Sequence, residues 1–189
     1  MILKIDQVNW PEQYPEAPET IVTLSHDDTR LIVRYDVKGR QLRAEAVEDM
    51  GEVWKDSCVE FFCMLPDGER YINFETNCIG TILASRRKGR SEDVKPLSAD
   101  ELKSITRTTS LPHERIPEKD GMFSWTVEIG IPLRILTGED RPAFPLTLRG
   151  NFYKCADDTR YPHFLSWKRI PLPKPDFHRP EFFGEITVD

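Results

Sequence analysis

The stretch VWKDSCVEFFCML, residues 53–65, changes character halfway along. It begins polar and charged and ends almost continuously apolar. A run such as CVEFFCML is what a central strand covered on both faces requires. Two residues break the pattern. Trp54 stands among charges, outside any apolar period. Glu60 stands inside the apolar strand, where a carboxylate must be paired or must open to a cleft.

Strand patterning continues on both sides of this segment. RLIVRYDV (residues 30–37) places Leu31, Val33, Tyr35 and Val37 on one face. KGR then reads as a turn, and QLRAEAVE as the second arm of a hairpin, with Leu42, Ala44 and Ala46 aligned. PDGE (66–69) closes the central strand as a tight turn. RYINFETNCIG follows, with Ile72, Phe74, Thr76 and Cys78 on one face and Tyr71, Asn73, Glu75 and Asn77 on the other. The polar face lines either a site or solvent. TILASRR continues the run, and the basic cluster SRRKGR (85–90) reads as a solvated turn.

MFSWTVEIGI (122–131) aligns Phe123, Trp125, Val127, Ile129 and Ile131, which assigns Trp125 to the core. FPLTLRGNFYKC and FFGEITVD are further strands. SADELKSI is a short helix capped by Ser98, and LRILTG a helical turn. Trp10 belongs to an N-terminal arm packed on the sandwich edge. The pattern predicts an all-β fold: an antiparallel β-sandwich of about nine or ten strands with one or two short helices, as a single domain over 1–189.

Composition narrows the function. Net charge is −6, without a basic stripe, which disfavours nucleic acid as a partner. No apolar run reaches the roughly 18 residues of a membrane span. The N-terminus, MILKIDQVNW, lacks the signature of a secretory leader, so the chain as given is expected in the cytoplasm, or outside it if a leader was removed. Cys58, Cys63, Cys78 and Cys155 match no zinc spacing and read as free buried thiols. His26, His113, His163 and His178 show no ligand spacing and read as surface residues.

Two loops stand out: EAVEDMGEVWKDS, which delivers Trp54, and the proline- and aromatic-rich segment at residues 157–180. Long structured loops on a rigid sandwich are where binding commonly resides. The ordered set DSCVEFF, YINFETNCIGT, FSWTVEIGIP, RGNFY, SWKR and EFFGEITV resembles the family 9 carbohydrate-binding modules, as a stand-alone domain, over residues 20 to 189.

The resemblance implies a β-sandwich that binds glucose, xylose or related sugars, often at a chain end, in a slot between two tryptophans. It maps the slot onto Trp54 and Trp167, the hydroxyl-binding acid onto Glu60, an arginine onto Arg86 and a late amide onto Asn151. It also implies structural calcium. The residues show no EF-hand-type loop, so metal content is left open, and no other cofactor is expected. A flat indole covers the C–H face of a pyranose, while carboxylate and guanidinium groups match its hydroxyl pairs. The expected activity is therefore non-catalytic sugar binding, accessory to polysaccharide breakdown, with no catalytic residue. Two alternatives stay open: a glycosidase using paired carboxylates, and a haem- or small-ligand-binding sensor on the same fold. The latter needs axial ligands, and Met64 and Met122 have no strand histidine to join them.

Overall fold

The computed structural model describes residues 1–189. Two antiparallel sheets face each other across the main core, so the β-sandwich is confirmed. The first sheet has the order β1 (Ile2–Lys4), β3 (Glu19–His26), β4 (Arg30–Ala44), β10 (Ile116–Pro132), β9 (Thr106–Thr109). The second runs β2 (Gln7–Val8), β12 (Phe164–Ser166), β11 (Leu146–Cys155), β5 (Cys58–Met64), β6 (Tyr71–Asn77), β7 (Ile82–Arg87), β8 (Lys95–Pro96). A last strand, β13 (Gly184–Val188), shares the edge of β11. Thirteen strands exceed the nine or ten expected, because edge pairings of two or three residues leave no periodic signature.

The hairpin expected at residues 38–40 does not exist. β4 runs straight through KGR, because β10 lies alongside it and pairs Ser124 with Lys38 and Phe123 with Gly39. Gly39 answers a close approach rather than a turn: a Cβ there would stand 2.9 Å from the Cβ of Pro18. The helices follow expectation. Ser98 and Glu101 form a reciprocal capping box on α1 (Ala99–Ser104). α2 (Leu133–Thr137) ends at Gly138, whose φ of 82° suits glycine.

Strand β5 is apolar throughout because both its faces are covered. Val59, Phe61 and Cys63 point into the main core between the sheets. Cys58 and Phe62 point the other way, into a second cluster with Trp10, Tyr71, Tyr153, Ile170, Phe177 and Phe183. That outer layer consists of the N-terminal arm and residues 170–183 laid over the sheet. Trp10 Nε1 donates to the Leu172 carbonyl at 2.7 Å, and the Ile170 amide donates to Asn9 Oδ1 at 2.8 Å. Trp125 is core, as expected, and all four cysteines are free and buried.

His163 is not on the surface. It is 2% exposed, and Lys154 Nζ donates to its Nε2 at 2.8 Å. Burial lowers the affinity of both groups for a proton.

Candidate functional site

Between the outer face of the second sheet and the segment laid over it lies a cavity of about 620 Å³. Alternation along the strands aims its floor. β5 turns Glu60 outward with Cys58 and Phe62, and β6 turns Glu75 outward with Tyr71 and Asn73. Register sets Glu60 opposite Glu75 on one side and opposite Tyr153 on the other. Leu83 of β7 extends that row opposite Glu75, and Arg87 lines the cavity from opposite Tyr71.

The walls come from loops. Trp54 sits on a single 3₁₀ turn, Val53–Lys55, pinned by the buried Val53. Its carbonyl accepts the Asp157 amide at 3.1 Å, which ties it to the β11–β12 loop. Tyr14, Phe164 and Phe177 add further aromatic lining. Tyr14 meets Phe164 edge-on at 4.7 Å, and Phe177 stacks on Tyr153 at 4.2 Å. Arg90 closes the rim: its Nη2 donates to Asp176 Oδ1 at 2.8 Å, joining the turn after β7 to the late segment.

Two buried carboxyls on adjacent strands are electrostatically expensive. Glu60 and Glu75 are 3% and 5% exposed. Burial, joined by the charge of Glu75, pushes the Glu60 carboxyl far above its usual range. Burial raises Glu75 to about 7, with Arg87 opposing. Burial also lifts Asp157 to about 6. Cys155 Sγ donates to Glu60 Oε1 at 3.1 Å, and Asn73 Nδ2 donates to Glu75 Oε1 at 2.9 Å. His178 shares a 2.8 Å hydrogen bond with the Tyr71 hydroxyl, and burial drops its imidazole to about 3, so it is neutral at pH 7.

The structure therefore brings Trp54 and Glu60 to one cavity, and it redirects the other three expected residues. Trp167 packs against the main core on the opposite face of the sheet, 5.8 Å from Phe152, with Lys168 Nζ 4.1 Å above its ring. A slot between Trp54 and Trp167 is thus excluded by the sheet itself. Arg86 is one residue out of phase with the cavity: it points away and bonds Glu101 at 2.7 Å. Its neighbour Arg87 takes the position. Asn151 is buried as a structural group, donating to the Lys168 carbonyl and accepting the Lys168 amide.

The cluster SRRKGR is likewise no solvated turn, since Arg87 and Arg90 both line the cavity. The alternation Leu83, Ser85, Arg87 was the available signal. Asp157, Phe177 and His178 carried none beyond membership of a long loop.

The calcium that the resemblance implies meets no close group of three carboxylate side chains. Asp56, the most buried aspartate, is engaged by Arg43, Asn77 and the amides of Glu45 and Ala46. The one close group of three ligating side chains contains two thiols, which suit calcium poorly.

The model of carbohydrate-binding family 9 matches residues 1–188. Among solved structures, a candidate carbohydrate-binding protein from Bacteroides uniformis is 37% identical, with a TM-score of 0.92, covering 100% of this chain and 86% of that one. A family 9 carbohydrate-binding module from Caldicellulosiruptor kristjanssonii in complex with glucose is 16% identical, with a TM-score of 0.60, covering 91% and 77%. The module from that organism in complex with cellotriose is 15% identical, with a TM-score of 0.57, covering 90% and 75%. These last two speak for the fold alone. Comparison with curated proteins returns no match.

Proposed function

Because the chain belongs to carbohydrate-binding family 9, we propose that its outer cavity holds a sugar ring of the glucose or xylose type without cleaving it. One observation carries this reading: Trp54 and the paired acids Glu60 and Glu75 share one cavity. The cavity's volume, about 620 Å³, lies in the range that small-ligand sites occupy. Trp54 covers one face of the ring, buried area at small entropic cost. Glu75 and Asp157 accept from hydroxyls, the protonated Glu60 can also donate to one, and Arg87 and Arg90 donate to them. The second aromatic surface is Phe164 with Phe177 in place of a second indole.

The cavity volume supports a ligand of mono- or disaccharide size, in a role accessory to polysaccharide breakdown. The glycosidase reading draws on the same acids, Glu60 and Glu75, which are register partners on one sheet face. No helix is long and apolar enough to cross a membrane. Calorimetry with glucose, xylose and cello- and xylo-oligosaccharides tests the proposal. Saturable binding to the wild type and none to Glu60→Gln is the expected result. Release of aryl alcohol from aryl glycosides, abolished by that substitution, would replace it with hydrolysis.

A further inference from the structure

Strands β5 and β11 set Cys58 directly opposite Cys155, and Glu60 follows two residues along on the same face. The two sulfurs and a Glu60 oxygen all lie within 4.8 Å of one another. All three residues are buried. Asp157 flanks Cys155 at the cavity edge. Glu60, Glu75 and Asp157 have no basic side chain within ion-pair distance. Of the two cavity arginines, Arg90 is committed to Asp176, and Arg87, whose charge opposes the shift of Glu75, donates to the Arg90 carbonyl. So groups that can become anionic are concentrated in a desolvated place with no direct counter-cation. We propose that Cys58, Cys155 and Glu60 form a site for one borderline-soft divalent cation, of which Zn²⁺ is the type, with the remaining position open to the cavity.

Geometry and ligand chemistry agree on this class of ion. Zinc takes thiolates at about 2.3 Å and carboxylate oxygens at about 2.0–2.2 Å in a tetrahedron. Ligand atoms already within 4.8 Å close onto that polyhedron through small side-chain rotations. Two thiolates exclude calcium and magnesium, which take oxygen shells. Each thiol and the Glu60 carboxyl give their protons to solvent as their bonds to the metal form, and the ion offsets the negative charge so created. Three protein ligands leave a fourth position, which water or Asp157 fills. The cysteine pairing could not be seen as a zinc pattern in the sequence, because its members lie 97 residues apart (155 − 58) on different strands.

Cobalt reports on the site directly, since Co²⁺ substitutes for Zn²⁺ and thiolate ligands give it a near-ultraviolet charge-transfer band. The full chain, kept reduced and freed of metal with a chelator, is titrated with Co²⁺ and then Zn²⁺. The expected result is one Co²⁺ per chain with a thiolate band, displaced by one Zn²⁺. Either single change, Cys58→Ser or Cys155→Ser, weakens binding at least about tenfold, and Cys63→Ser on the other face of β5 changes nothing. If a cavity-side variant melts early, X-ray absorption of the zinc-loaded wild type decides the matter by finding two sulfur ligands or none. A missing thiolate band, or one that survives in Cys58→Ser/Cys155→Ser, overturns the proposal. The sugar reading is tested separately by titrating sugars into the chelated protein, and neither outcome there alters the cobalt spectrum.

Discussion

Glu60 and Glu75 are register partners across β5 and β6, buried side by side on the floor of one cavity. The fold tolerates this because at neutral pH the pair keeps protons that two exposed glutamates would have lost. The consequence is a pH dependence with a definite sign. Burial raises Glu75 to about 7 in the folded chain, against roughly 4.3 when unfolded. Between these values the folded state binds more protons than the unfolded one, so stability is full below about 4.3 and is lost as pH rises through 7. Glu75→Gln should remove that loss. Denaturant titrations at pH 5 and pH 8 should show the variant gaining on the wild type by on the order of 3 kcal/mol. An equal difference at both values would show Glu75 to be ionised throughout.

Trp125 tests the core in the same spirit. It is 2% exposed and points inward from β10 beside Val127 and Ile129. Trp125→Ala should cost roughly 3–5 kcal/mol, read as a lowered melting temperature. Wild-type melting would remove Trp125 from the core.

The strands that hold Trp125 and Glu60 were legible because period-two alternation is a local property, visible in one sequence. What needed a distant partner was not. Gly39 reads as a turn until β10 is known to pair beside it. The choice between Arg86 and Arg87 depends on a phase of one residue, and the phase of β7 is set by Leu83 and Ser85 pairing with β6 rather than by composition. The segment at 170–183 has no period at all. Its prolines and aromatics announce a structured loop, but only the cross-links to Trp10 and Asn9 determine which rings face the cavity.

Asp176 holds that segment in place. It accepts from Arg90 at 2.8 Å and from the His178 amide at 3.1 Å, and it forms an ion pair with Arg179 at 2.7 Å. Arg90 is more than half exposed, so the ion pair alone is worth about 1 kcal/mol or less. The larger effect should be local. Asp176→Ala should leave the melting temperature nearly unchanged while limited proteolysis begins within residues 170–183. Unchanged protection of that segment would show that Trp10 and Phe177 suffice to hold it.

The two tryptophans first paired by resemblance make the sharpest contrast, because the sheet separates them. Trp54 lines the cavity, half-buried, its backbone held by its 3₁₀ turn, the Asp157 amide and the Cys155 thiol. Trp167 packs on the far face against Phe152 and beneath Lys168. An aromatic platform is worth about 1–3 kcal/mol by analogy with base stacking, or roughly ten- to hundredfold in affinity. Trp54→Ala should therefore weaken sugar binding by that factor with the melting temperature held. Trp167→Ala should do the reverse: it leaves affinity within about twofold of the wild type and lowers the melting temperature, because it removes ring area from the core rather than from the cavity. Calorimetry and thermal melting on both variants separate the two roles. If Trp167→Ala abolishes binding at unchanged stability, the sugar sits on the other face of the sheet and the cavity above Glu60 is not its site.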